Sequence, residues 1–277
     1  MNDQRIPLRF DSIIQFNQQK WRIISELGRG GTGIVYKVQN VETQEFAALK
    51  EFYPIIYCDR LYRNRNGYLE TDSSINDEIL KLYETQKRYE LKMTNNARRS
   101  ILNNNPYVYD VQDCTFMNTY NTNETIYLIK TESGNTLENI LNTTTSLPSN
   151  IGEFLLQSVY ALDTLHSKGI IHADIKFSNI FIEIDSSVKL LDFGTSFYKG
   201  KVTKEDLKNY TFMSYSEITC EPHRKSIIDS FFRRLNLLDS SPDFLDSILK
   251  KYNRLSEDVD YYAIFSCLLY TSDAADD

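Results

Sequence analysis

Residues 170–194, "IIHADIKFSNIFIEIDSSVKLLDFG", set Asp174, Lys176, Asn179 and Asp192 among short apolar runs. "NIFIEI" and "SVKLL" read as a strand pair, with three of these polar residues at or before its start and Asp192 just past its end. Singly, each is an ordinary loop residue, and their meaning turns on the rest of the chain.

Just upstream, "NIGEFLLQSVYALDTLHSKG" repeats apolar residues at Phe154, Leu155, Val159, Leu162 and Leu165, which is helical spacing, and Gly169 stands where a helix C-cap belongs. The helical pattern begins at about Leu137. From Trp21 to about Lys130 the runs are mostly strand-like, broken by one helical candidate from Ser74 to Arg99. A small β-rich lobe followed by a larger helical lobe is the consequence, and no internal repeat is visible.

Near the start, "LGRGGTGIVYKV" (27–38) places Gly28, Gly30 and Gly33 at GxGxxG spacing. Backbone without a Cβ approaches an anion closely and turns its N–H groups toward it. A Walker A loop needs Gly-Lys-Ser/Thr at its end, and here Ile34 and Val35 follow Gly33. A dinucleotide fingerprint needs its third glycine to open a helix. The β-branched run "IVYKVQNV" and a second apolar run, "EFAALKEF", indicate strands instead, so the loop joins two strands of a hairpin with a third close behind.

Composition narrows the function classes. The chain has 277 residues, 41% of them apolar, and a net charge of −7. That acidity argues against sequence-independent nucleic-acid binding, which rests on basic surface. Cys58, Cys114, Cys220 and Cys267 form no CxxC pair and have no His at ligand spacing, so neither zinc nor a disulfide framework is suggested. The first residues lack the apolar core of a signal peptide, and no apolar run is long enough to span a membrane. A cytoplasmic or nuclear location is expected. Oligomeric state leaves no trace.

With the glycine loop upstream, residues 170–194 resemble the catalytic and metal-binding loops of eukaryotic-type protein kinases, and the likeness runs from about Trp21 to Ser266. It implies an α+β, bilobal fold: a β-rich N-lobe (21–133) with one main helix and a helical C-lobe (134–266), preceded by an extension (1–20). It also implies ATP and Mg²⁺ or Mn²⁺ as cofactors and proteins as substrates. Leu27, Gly28, Arg29, Gly30, Gly31, Thr32 and Gly33 would cover the phosphates, with Val35 and Ala48 beside the nucleotide and Glu132 in the adenine-binding hinge. Lys50 of "FAALK" would bind the α- and β-phosphates, steadied by a carboxylate for which Glu90, Glu84 and Glu78 compete and Glu90 is preferred. Asp174 would orient the acceptor hydroxyl and take its proton, and Lys176 would contact the γ-phosphate. Asn179 and Asp192 would hold the metal. Lys176 further implies Ser/Thr rather than Tyr acceptors, and Asp260 of "DYYAIFS" matches the helix aspartate that supports the catalytic loop.

Several positions depart from the pattern. Ala173 stands where many members carry Arg, so activity is expected not to require phosphorylation of Thr195, Tyr198, Thr203 or Thr211. Lys130 falls near the gatekeeper position. "EFYPIIYCDRLYRNRNGYLETDSS" (51–74) is long enough to contain an insertion, and so is the amphipathic stretch before "SEDVDYYAIFS". Of the Ala-Pro-Glu that usually closes an activation segment, "SYSEI" keeps only the glutamate, Glu217, with Glu221 as its rival. "CLLYTSDAADD" (267–277) looks like translated sequencing-library adapter, with native sequence expected to continue past Ser266. A scaffold that keeps the fold without catalysis is the alternative to an enzyme, with a small-molecule kinase third.

Overall fold

The computed structural model describes residues 3–16, 18–55, 61–65, 67, 69–72, 80, 83–84, 87–88, 90–94, 111–118, 123–130, 134–143, 150–193, 196–201, 257–258, 260–261 and 263–264. The chain divides into two units, Met1–Leu91 with Asp110–Glu132, and Lys92–Tyr109 with Ser133–Asp277.

The first unit is built on a six-stranded antiparallel sheet. Its strands are β1 (Ile13–Phe16), β2 (Gln19–Arg29), β3 (Gly33–Asn40), β4 (Phe46–Phe52), β7 (Val111–Asn118) and β8 (Asn123–Lys130), in the order β1-β2-β3-β4-β8-β7. The alternation of "IVYKV" decides the faces of β3: Ile34, Tyr36 and Val38 are fully buried, and Lys37 between them is half-buried. Between β4 and β7, a hairpin of β5 (Leu61–Arg63) and β6 (Leu69–Thr71) occupies the stretch read as an insertion. Leu61 and Leu69 join Ile34, Tyr36 and Val38 in one core, so this hairpin covers apolar sheet surface. Helical residues follow at 80, 83–84, 87–88 and 90–94, inside the span expected to be helix. Residues 3–20, set apart from the sequence as an extension, supply β1 and the buried Leu8 to this unit.

The second unit opens with β9 (Gly134–Thr136) and the short helix α1 (Leu137–Thr143), then α2 (Ile151–Ser167). Phe154, Leu155, Leu162 and Leu165 are buried as the spacing requires, but Val159 is only partly so, and the face is completed by Ser158 and Ala161. Ser158 is tolerated there because its hydroxyl donates to the Phe154 carbonyl at 2.7 Å. Each large apolar side chain buried on this face is worth about 1.5–3 kcal/mol. The helix stops at Gly169, whose φ of 71° is left-handed and whose N–H caps the His166 carbonyl at 2.8 Å. Two small sheets pack into the same unit: β10 (Ile170–Ile171) with β13 (Phe197–Tyr198), and β9 with β11 (Ile180–Glu183) and β12 (Val188–Leu190) in the order β12-β11-β9. The strand pair read from "NIFIEI" and "SVKLL" is β11 and β12.

Candidate active site

In the first unit the glycine stretch is the tight connection between β2 and β3, with Gly28 opposite Val35 and Arg29 opposite Ile34. Leu27 to Gly30 are exposed, while Gly31 and Thr32 are half-buried. The three glycines differ in their physical reason. A Cβ on Gly33 would lie 2.2 Å from the Glu51 carbonyl oxygen, so the close approach of β4 demands glycine there; at Gly28 and Gly30 a Cβ meets open space. The loop's own carbonyls are occupied, Gly31 and Thr32 accepting from the N–H groups of Ile55 (2.9 Å) and Tyr53 (3.1 Å).

Val35 pairs with Lys50 across β3 and β4, and Ala48 lies two residues before Lys50 on the same strand face. Lys50 Nζ is 2.7 Å from Glu90 Oε1, with the Glu90 side chain only 1% exposed. Of the competing carboxylates, Glu84 instead pairs with Lys87 at 2.7 Å, and Glu78 lies outside the described residues. Alternation turns the next residue, Glu51, to the opposite face, where Arg63 grips it with Nη1–Oε1 and Nη2–Oε2 distances of 3.0 and 2.7 Å. Lys130 closes β8 opposite Ala47. Its side chain, the expected hinge residue Glu132 with its neighbours Thr131 and Ser133, the expected activation-segment residues Thr195, Thr203, Thr211, Glu217 and Glu221, and the adapter-like tail lie outside the described residues.

In the second unit the loop between β10 and β11 gathers Asp174, Lys176 and Asn179. Asn179, in a single 3-10 turn (Phe177–Asn179), donates from Nδ2 to both the Asp174 carbonyl and Asp174 Oδ2, each at 2.8 Å. Lys176 Nζ stands 3.2 Å from the same Oδ2. The carboxylate is buried, so these contacts fix its rotamer as well as its charge. Asp192 follows β12 after one residue and has a left-handed φ of 59°. It is placed by Leu191, whose N–H donates to the Asn179 carbonyl at 2.9 Å.

Two histidines to which the sequence pattern assigns no role organise this loop. Leu191 O can only accept, so His172 Nε2, 2.9 Å away, carries the proton, and Nδ1 accepts from the Asp174 N–H at 3.3 Å. The imidazole is therefore neutral, in keeping with complete burial, which holds its pKa below the ordinary value against the opposing charge of Asp260. Asp260 supports the loop: Oδ1 accepts from the Ala173 N–H and Oδ2 from the His172 N–H, both at 2.8 Å, and Oδ2 also meets His166 Nε2 at 2.9 Å. The chain's only signal for these roles is that two of its three histidines fall just before Asp174, at 166 and 172.

The residue set suits a divalent cation handled jointly with a phosphate ligand. With its amide nitrogen spent on Asp174, Asn179 keeps its carbonyl oxygen for a cation, and Asp192 offers a carboxylate; both are hard oxygen donors of the kind Mg²⁺ takes. Among the described residues no group of three or more His, Cys, Asp or Glu could hold a metal by itself.

Comparison with known proteins agrees with this constellation. The sequence pattern of the protein kinase domain matches residues 111–220, the span that contains Asp174, Asn179 and Asp192. Serine/threonine-protein kinase DBF20 of Saccharomyces cerevisiae is 24% identical over 266 residues, covering 91% of this chain and 41% of the relative. Mouse serine/threonine-protein kinase PAK 1 is 25% identical over 216 residues, 77% of this chain and 33% of its own length. Serine/threonine-protein kinase 10 of Danio rerio reaches 32% over 181 residues, 64% of this chain and 15% of its own. The chain thus spans well under half the length of these relatives. With its glycine-loop hairpin, its lysine–glutamate pair and its ordered Asp-x-Lys-x-x-Asn loop, the chain resembles the eukaryotic-type protein kinases, whose domain pattern it carries over residues 111–220.

Proposed function

We propose that this chain is the catalytic domain of a serine/threonine protein kinase, moving the γ-phosphate of ATP to hydroxyls of protein substrates. The observation that carries the reading is the Asp174 carboxylate, buried and fixed by Asn179 and Lys176. A group held so is ready to orient an acceptor hydroxyl and receive its proton. The new bond joins the hydroxyl oxygen to the γ-phosphorus, the β–γ bridging P–O bond breaks, ADP leaves, and the proton passes to Asp174. Lys176 offers its ammonium to the γ-phosphate, and Lys50, steadied by Glu90, to the α- and β-phosphates. The exposed glycine-loop backbone covers them. Mg²⁺ or Mn²⁺, held by Asn179 and Asp192, neutralises phosphate charge when bound. The acidic chain and the absence, among the described residues, of a helix long and apolar enough to cross a membrane are compatible with work in cytoplasm or nucleus.

The test is transfer from labelled ATP to mixed Ser/Thr and Tyr peptide pools. Labelling of Ser/Thr peptides alone, falling by about 10²–10⁴-fold in Asp174→Asn, is the expected result. Ala173, in place of the family's usual arginine, favours one rival, a scaffold. ATP binding with no transfer to any peptide would establish that instead.

A further inference from the structure

Residues 3–9 belong to none of the catalytic motifs, yet they are wired into the back of the glycine loop. Arg5 is 3% exposed, and its Nη1 donates to the carbonyls of Gly33 (3.2 Å) and Tyr53 (2.6 Å). Its Nε and Nη2 grip both carboxylate oxygens of Asp3 at 2.9 and 2.6 Å. That hydrogen bonding holds the Asp3 pKa down at about 2, so the pair is intact at neutral pH. The Arg5 carbonyl in turn accepts from Arg29 Nη1, on the loop itself, at 2.9 Å.

The segment is anchored on both sides of Arg5. Arg63 Nε donates to the Ile6 carbonyl at 2.8 Å while its fork holds Glu51. Leu8 enters the core, and its N–H donates to the Tyr36 hydroxyl at 3.0 Å. Burial pushes the Tyr36 pKa far up, so that hydroxyl keeps its proton and donates to Glu51 Oε2 at 2.9 Å.

The consequence lies in the peptide planes. In a trans peptide the N–H of one residue points opposite to the carbonyl of the residue before it. The carbonyls of Gly31 and Thr32 are bound by the N–H groups of Ile55 and Tyr53, and the Gly33 carbonyl by both the Gly30 N–H at 3.0 Å and Arg5. The N–H groups of Thr32 and Gly33, which share peptides with the Gly31 and Thr32 carbonyls, are thereby turned away from Ile55 and Tyr53. Arg5 acts one step back, holding the Tyr53 carbonyl and the Gly33 carbonyl and so steadying the backbone that opposes a flip of these peptides.

We propose that Arg5 is a positioning residue for nucleotide phosphates, the strap of residues 3–9 acting as a latch that fixes the peptide orientation of the glycine loop. The proposal rests on the kinase reading above. It is tested on the full chain with Arg5→Ala, Arg5→Lys and the milder Asp3→Asn, which frees the guanidinium without removing it. Dissociation constants for Mg-ATP and for adenosine are measured by calorimetry, and amide exchange at 31–33 is followed without nucleotide. Arg5→Ala should weaken ATP about tenfold, the worth of one charge-assisted hydrogen bond, and leave adenosine within about twofold. Loop amides should exchange faster, and Arg5→Lys should recover part of both effects. If Arg5→Ala does not fold, Asp3→Asn carries the same comparison with a smaller expected loss. Equal weakening of ATP and adenosine would mean that the strap merely supports the fold, and unchanged ATP affinity with unchanged exchange would also overturn the latch. A wild-type chain that binds neither ligand would overturn the kinase reading and the proposal with it, whereas ATP bound equally by wild type and Arg5→Ala overturns the proposal alone.

Discussion

Ala173 sits beside Asp174 with a φ of 63°, a left-handed conformation in which an L side chain crowds the backbone. Asp260 holds it there, receiving the His172 and Ala173 N–H groups on its two carboxylate oxygens. Relieving that strain should help: Ala173→Gly is expected to stabilise the chain by about 0.5–1 kcal/mol, and Ala173→Val to destabilise it, both read from urea unfolding midpoints. His172 gives a prediction of opposite character. In the unfolded chain its imidazole titrates near the usual value of about 6.5, whereas burial holds the folded pKa lower. Between the two values the unfolded chain carries the extra proton. Stability from this group is therefore full above about pH 6.5 and falls as pH drops, by at most about 1.4 kcal/mol per pH unit. His172→Asn should flatten that slope below about pH 6.5 by up to one proton, whatever its effect on the absolute stability. Asp174, Lys176, Asn179 and Asp192 were legible from residue type and spacing. The neutral imidazole behind them was not, because its tautomer is set by a backbone carbonyl just past another strand's end.

At the scale of elements, legibility followed periodicity. The strand β3 and the helix α2 announce themselves because burial imposes a period of two on one and near 3.6 on the other. The glycine motif was legible as a loop but not glycine by glycine. Gly33 is required by the Glu51 carbonyl, and Gly28 has open space around it. Gly33→Ala should accordingly cost about 1–3 kcal/mol of folding stability, because β4 must shift to admit the methyl group. Gly28→Ala should stay within about 0.5 kcal/mol of wild type, so any loss of ATP affinity it causes reports on the ligand and not on the fold. Melting curves and ATP titrations of the two variants side by side decide this. A Gly28→Ala protein as unstable as Gly33→Ala would show that the loop is packed on both sides. The strap and the β5–β6 hairpin stayed illegible for a different reason. Arg5 is buried against backbone carbonyls and Arg63 against the side chain of a distant strand residue, and neither partner imposes any pattern on the sequence around the arginine.

For the molecule as a whole, a net charge of −7 means that no long-range field draws in an anion such as ATP. Under the proposed function its phosphates would be met locally, by Lys50 and loop N–H groups of the first unit and by Lys176 and a cation at Asn179 and Asp192 of the second. Local contacts of this kind are screened far less than charges separated by more than the Debye length, about 10 Å at 0.1 M salt. Two interventions that are easily confused should therefore separate. Raising monovalent salt from about 50 to 200 mM should change ATP affinity by less than about threefold, with any weakening offset by screening of the acidic surface. Chelating the divalent cation should weaken ATP by more than about tenfold and leave adenosine unaffected. Stability follows by mass action: ATP with Mg²⁺ at about 100 times its dissociation constant should add about 2.7 kcal/mol, read as a rise in melting temperature. Lys50→Met should shrink that rise with or without chelator. Asp192→Asn should leave a small rise that chelation no longer alters, because the carboxylate that made the cation matter is gone. A large salt effect with no chelator effect would assign ATP to a diffuse basic surface, and the roles given to Asn179 and Asp192 would fall.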